Sequence, residues 1–291
     1  MKSDNRKTYE IVPWGGLGDE LMLTPILKGI KLREPKSRII LYLFRDEIFR
    51  HNPNVDKIKF LDIYKNPISA IRFRFWPNSF HFLAYGFSKP SLFYQNLHAT
   101  EIIGKMIGIE LVDKQVQIYI TDEENNKALQ FLSHYNNPIL IQITSQASNN
   151  QNWLINKWEE LIRRMPNYTF LQLGINGEIK VKGAIDLLGK TTIRESMALL
   201  KNVQSFVGVD SFLNNASNAF FTRGVVLFGP SPPQVWGHPN NINLYKKTAC
   251  SPCIDLLGPN PCPYNIKCMQ QITVDEVHEA LKIQLALKEN T

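Results

Sequence analysis

The chain has 291 residues, with 33 Lys and Arg against 26 Asp and Glu, for a formal net charge of +7. Its 44% hydrophobic and 20% charged residues are an ordinary globular balance, which excludes a disordered tail, a collagen-like rod and a long coiled coil. The length suits two domains with separate cores, and the charge suits an anionic partner (a nucleotide, a phosphorylated sugar, a lipid surface or a nucleic acid) without choosing among them.

Met1 to Glu10 is polar, with no apolar stretch of signal-peptide length. The longest apolar runs, such as Ile39–Phe44, fall far short of the ~20 residues of a membrane span, so a cytoplasmic protein is expected. Tyr9–Trp14 reads as a buried strand and Gly15–Asp19 as a turn. Leu21, Leu23, Ile26, Leu27, Ile30 and Leu32 then recur at helical spacing, and Arg38–Phe44 is a second strand. This is a βαβ unit and implies a parallel sheet. A further αβ step covers 51–64.

The stretch Ile63–Thr100 is different: it holds no Asp or Glu, and ten of its 38 residues are aromatic. Lys65, Arg72, Arg74 and Lys89 alternate there with residues such as Phe73, Trp76 and Tyr85. Part of it must be core. The rest could stack sugars or rest on an anionic membrane surface, whereas base stacking lacks a surrounding nucleic-acid module. Glu101 to Ile109 resumes a helical pattern, and Asn136-Asn137-Pro138 reads as the linker between domains 1–137 and 138–291. Beyond it, strands at Ile139–Thr144, Tyr168–Gly174, Ala184–Gly189, Ser205–Asp210, Val225–Gly229 and Ile242–Tyr245 alternate with helices at Asn156–Met165, Ile193–Lys201 and Asn214–Phe221. Thr192 with Glu195, and Thr273 with Glu276, match capping boxes. The second half reads as a Rossmann-like domain.

Ligands of open parallel sheets bind beyond the carboxyl ends of the strands. Those ends deliver Gly15–Asp19, Ser145–Asn152, Gly174–Gly177, Asp210–Ser211 and Gly229–Ser231, small polar residues that precede helix N-termini and suit phosphate. Asp19 is either an N-terminal cap or a general base, with the helix N-terminus lowering its pKa. Asp210-Ser211 is either a cap or a ligand contact. The four cysteines, spaced C-x2-C-x8-C-x5-C from Cys250 through Cys253 and Cys262 to Cys268, suit a closed tetrahedral Zn or Fe site, against free thiols or two disulfides.

Several segments together resemble the heptosyltransferase family of ADP-heptose glycosyltransferases. Gly16-Leu-Gly-Asp19-Glu-Leu-Met-Leu-Thr24-Pro25 is similar to its opening Gly-Asp…Thr-Pro motif. Gly208-Val-Asp210-Ser211, then Val225–Ser231 and Trp236-Gly237, are similar to its donor signature, and Leu188-Gly189-Lys190-Thr191 to the segment before it. Cys250–Met269 resembles the cysteine segment of many members, some of which hold iron there.

The resemblance implies a GT-B fold, with two Rossmann-like domains facing across a cleft and a cysteine metal finger near the C-terminus. It implies an inverting transfer, needing no catalytic metal, from an ADP-sugar to a glycolipid of the lipopolysaccharide core or to a protein hydroxyl, with peripheral contact to the inner membrane and no nucleic acid. Asp19 would be the base. Gly18, Thr144, Ser145, Gly174, Lys190, Asp210, Ser211 and Gly229 would bind the donor, and Arg72, Arg74 and Trp76 the acceptor. The sequence departs from the pattern where Gln151 and Asn152 replace a Lys before Trp153, Phe212 replaces a Gly, and Asn214-Asn215 replace a His. These departures admit another nucleotide-sugar donor, or a non-catalytic relative that only binds one.

Overall fold

Strand and helix alternate along the computed structural model, which describes residues 6–13, 16–61, 79–81, 97–111, 113–253 and 261–289. The chain divides into two compact units, Met1–Tyr119 and Ile120–Thr291.

In the first unit, β1 (Thr8–Val12), β2 (Arg38–Leu43), β3 (Lys57–Phe60) and β4 (Ser79–His81) form a parallel sheet of order β3-β2-β1-β4. Helix α1 (Leu17–Arg33) buries Leu21, Met22, Leu23, Ile26, Leu27 and Ile30 completely, which fixes its start beyond the carboxyl end of β1. Pro25 lies inside this helix and has no N–H for the carbonyl of Leu21. The Thr24 hydroxyl donates to that carbonyl instead, at 2.8 Å, and its oxygen accepts from Gln117 N–H at 2.8 Å. The Thr-Pro pair is thereby a self-repaired helix that also ties down the chain leaving α2 (Ala99–Ile107), which packs on α1.

The second unit opens with α3 (Asp122–Leu132), a helix that apolar spacing does not show, capped by Thr121 and Glu124. Its sheet comprises β5 (Pro138–Gln142), β6 (Thr169–Gln172), β7 (Ile185–Asp186), β8 (Ser205–Val209), β9 (Gly224–Phe228) and β10 (Ile242–Tyr245). The strands are all parallel, in the order β10-β9-β8-β5-β6-β7. Helices α4 (Ile155–Arg163), α5 (Ile193–Asn202), α6 (Phe212–Phe220), α7 (Pro233–Trp236), α8 (Lys267–Gln270) and α9 (Val274–Glu289) complete it. Helix α3 packs on α5, where Arg194, 4% exposed, forms a forked ion pair with Glu124 and holds that carboxyl down at about 2. Asn202 meets Asn125 on the same face at 3.1 Å. The two units divide ahead of α3, between Tyr119 and Ile120, and Asn136–Pro138 leads from α3 into β5. The core behind the sheet gathers Trp153 and Trp158, edge-on at 5.2 Å, with Val207, Leu227, Met269 and Leu281.

Among the described residues, each sheet has one place where strand order reverses. In the first, β2 lies on one side of β1 and β4 on the other; in the second, the reversal is between β5 and β8. A crevice for a ligand forms outside the carboxyl ends of strands at such a point.

Candidate active site

In the first unit the reversal delivers Asp19, the third residue of α1. Its Oδ2 accepts the Gly16 N–H at 2.8 Å, which makes Asp19 the third-position partner of a capping box whose N-cap is Gly16. Burial pushes this carboxyl above the usual aspartate range, outweighing the Gly16 amide and the charge of Arg45, which both pull it down. The lowering expected from the helix N-terminus is thus reversed by desolvation, the direction that suits a base. Gly18, half-buried, is the second residue of the same helix. Sequence reasoning missed Glu20 and Arg45, which sit beside Asp19 as an ion pair at 3.0 Å. Arg72, Arg74 and Trp76 lie outside the described residues.

In the second unit the reversal delivers Asp210, 8% exposed, just past β8. Ser231, fully buried beyond β9, donates its hydroxyl to Asp210 Oδ2 at 2.6 Å. Gln151, from the segment after β5, aims Nε2 at the same oxygen (3.3 Å), at the Asp210 carbonyl (3.1 Å) and at Ser231 Oγ (3.4 Å). These are three acceptors, so the amide cannot be turned round without opposing oxygen to oxygen. Asn214, in the first turn of α6, donates to Asp210 Oδ1 at 3.2 Å and to the Trp236 carbonyl at 2.8 Å. Two of the family departures therefore meet at one carboxylate: Gln151, where a Lys is usual, and Asn214, one of the residues where a His is usual. Ser211 is the N-cap position of α6 without a side-chain cap bond. Thr144 is half-buried and Ser145 buried in the segment after β5, where Ser145 Oγ accepts from Ala147 N–H at 3.3 Å.

The other donor candidates are placed by packing. A Cβ on Gly174 would fall 2.3 Å from Glu178 Oε2, and one on Gly229 2.5 Å from Met269 Sδ. Glycine at 229 thus lets the cysteine segment close onto the end of β9. Lys190 is exposed and its Nζ is held by Asp186, at 2.9 Å from the carbonyl and 3.1 Å from Oδ2.

The cysteine segment docks on the same loops. Cys253 N–H donates to the Pro230 carbonyl at 2.8 Å, Ser251 Oγ to the Gly229 carbonyl at 3.0 Å, and Cys262 N–H to Asn150 Oδ1 at 3.1 Å. All four thiols are unbridged, which removes the two-disulfide alternative. Burial first, then the other three cysteines, push the Cys253 thiol up to about 11. Among the described residues, no group of three or more His, Cys, Asp or Glu side chains is placed to hold a metal ion.

Two parallel α/β units, each with a carboxylate where its strand order reverses, have the architecture of GT-B glycosyltransferases. The chain belongs to glycosyltransferase family 9, the heptosyltransferases, whose profile matches residues 91–261. It is an enzyme of the glycosyltransferase class. No curated protein sequence matches it. Among solved structures it is similar to a family 9 glycosyltransferase from Veillonella parvula, with a TM-score of 0.71 at 18% identity over 99% of both chains. It is also similar to ADP-heptose lipopolysaccharide heptosyltransferase II of E. coli, with a TM-score of 0.68 at 14% identity over 97% of this chain and 99% of that one. The iron-containing dodecameric glycosyltransferase TibC of enterotoxigenic E. coli matches with a TM-score of 0.71 at 17% identity, over 100% of this chain and 78% of that one. TibC has also been solved in complex with ADP-D-beta-D-heptose. At these identities the likeness is one of fold.

Proposed function

We propose that the chain moves a heptose from ADP-heptose onto a glycolipid or protein hydroxyl, with inversion at the anomeric carbon. The observation that carries this reading is the β5/β8 reversal, where Asp210, Ser211 and the N-terminus of α6 meet in a family 9 chain. The first-turn N–H groups of α6 suit a diphosphate, and a fixed donor set of that kind stabilises a departing nucleotide without reorganising. Thr144 and Ser145 would contact phosphate, Asp210 and Ser211 the donor sugar and its pyrophosphate, and Gly174 and Gly229 would offer backbone. Lys190 would have to leave Asp186 to join them. Asp19 would take the acceptor proton as the acceptor oxygen attacks and ADP leaves. Arg72, Arg74 and Trp76 would hold the acceptor, and their basic, aromatic surroundings would suit peripheral contact with an inner membrane. Among the described residues, no helix is long and apolar enough to cross a membrane.

Gln151 favours a second reading within the same chemistry. A neutral amide bound to Asp210 cannot neutralise phosphate as a Lys would, which points to a donor other than ADP-heptose. A thermal-shift panel of ADP-heptose, UDP-glucose and GDP-mannose separates the two. At a hundredfold excess over Kd, the true donor adds about 2.7 kcal/mol of stability. The largest shift is expected with ADP-heptose, and a larger one with a UDP or GDP sugar would reject the ADP assignment.

Cys250, Cys253, Cys262 and Cys268 would hold a structural Zn or Fe. The fit lies in the chemistry of the donor set, four unbridged soft sulfurs: burial, and then neighbouring thiols, push the Cys253 and Cys268 sulfurs up, which a bound cation would reverse. With four protein ligands the ion would leave no open position, so it would fasten the loops at Gly229–Ser231 and Asn150. Elemental analysis of the purified chain should give one equivalent of metal, with Cys253→Ser reducing it. A metal-free chain with four titratable thiols would contradict the assignment.

A further inference from the structure

Glu20, the residue after Asp19, is 6% exposed. A carboxylate placed so deep needs a partner, and Arg45 supplies one, with Nη2 3.0 Å from Oε1 and Nε donating to Oε2 at 3.3 Å. Helix α1 starts beyond β1, and Arg45 lies just beyond β2. The two strands run parallel with Ile11 opposite Leu41, so the segments leaving them emerge side by side.

Adjacent helical side chains point apart, yet the one guanidinium acts on both Asp19 and Glu20. Among the described residues, the charged groups acting on Glu20 are Arg45, Glu47 and Asp19. Glu101 of α2, the helix packed on α1, is paired with Lys114 instead. A base must be ionised but not clamped. A carboxylate forked onto an arginine has its lone pairs occupied and loses about one to three pKa units of basicity.

We propose that Glu20 is a positioning residue for Asp19: it keeps the Arg45 guanidinium on its own carboxylate, so that Arg45 acts on Asp19 from a distance and leaves Oδ1 to take the proton of an incoming hydroxyl. The proposal rests on the reading of Asp19 as the base. Burial pushes the Glu20 carboxyl up to about 7, so its hold on Arg45 is strongest above that pH and loosens below it. In Glu20→Gln the guanidinium is released toward Asp19, and Asp19 becomes a weaker base.

The test is a carbon-13 NMR titration of the Asp19 carboxyl in the full chain, assigned by its loss in Asp19→Asn. In Glu20→Gln the Asp19 midpoint should fall by about one pH unit. In Glu20→Gln combined with Arg45→Gln that fall should vanish. Glu20→Asp, which keeps the charge, should hold the midpoint within ~0.3 unit of the parent. An unmoved midpoint in Glu20→Gln, or a fall that survives the loss of Arg45, overturns the proposal. Should Glu20→Gln not fold, Arg45→Gln in the parent chain should raise the Asp19 midpoint, and no rise would overturn it equally. Neither donor nor acceptor enters the titration. Its outcome is therefore separate from whether Asp19→Asn loses transfer, which tests the base assignment alone.

Discussion

Asp19→Asn should lower sugar transfer by about a hundredfold to ten-thousandfold in kcat, the usual contribution of a general base. Asn keeps a side-chain oxygen for the Gly16 N–H, so the cap survives, and removing a charge that burial disfavours should not lower stability. Donor binding, assigned to the other unit, should not change. In the parent enzyme the acid limb of kcat/KM should lie above the ~3.9 of an exposed aspartate, because burial raises the Asp19 carboxyl. The sign follows: the ionised form works, so rate is lost as pH falls through the raised midpoint. Undiminished transfer in Asp19→Asn would remove the base assignment.

Asp210→Ala should have the largest effect in the second unit, on folding and on donor binding together. The Asp210 carboxylate takes the Ser231 hydroxyl and the amides of Gln151 and Asn214 in a buried setting. Its removal orphans three donors, at about 1–3 kcal/mol for each group that finds no other partner. Asn214 keeps the Trp236 carbonyl and Gln151 keeps the Asp210 main-chain carbonyl, which leaves the Ser231 hydroxyl as the orphan, so the net loss should be about 1–3 kcal/mol. For a unit of this size that is roughly 2–12 °C in Tm. Asp210→Asn, which retains one acceptor, should lose about half as much. Urea unfolding beside calorimetric titration of the donor reads both effects. A Tm unchanged in Asp210→Ala would show that the network is not structural, and unchanged donor affinity would move the sugar site elsewhere.

The βα alternation of both units was legible because it is written in local signals, buried apolar runs and Thr-x-x-Glu caps. Helix α3 was not. Its sequence, DEENNKALQFL, buries only Ala128 and Leu132, and it is held to α5 through Arg194–Glu124 and Asn202–Asn125. Polar docking leaves no apolar period, and the Thr121…Glu124 box is the local signal of the helix start. The places of Asp19 and Asp210 beyond β1 and β8 were legible because strand ends are local. The partners of Asp210 were not, since Gln151 and Ser231 lie 59 and 21 residues away along the chain in opposite directions. Gln151 and Asn214 were both visible as departures from a family pattern, and only the fold shows that they end on the same carboxylate. Spacing did not show the partner of Lys190 either: Asp186, four residues earlier, holds its Nζ. The pKa of Asp19 needed the depth of the carboxyl, which no spacing carries.

The most direct measurement is a crystal structure of the chain soaked with ADP-heptose. The account predicts the diphosphate against the N-terminus of α6, beyond the ends of β5 and β8, with the sugar on Asp210. A nucleotide bound elsewhere, with Asp210 and Ser211 out of contact, would contradict it.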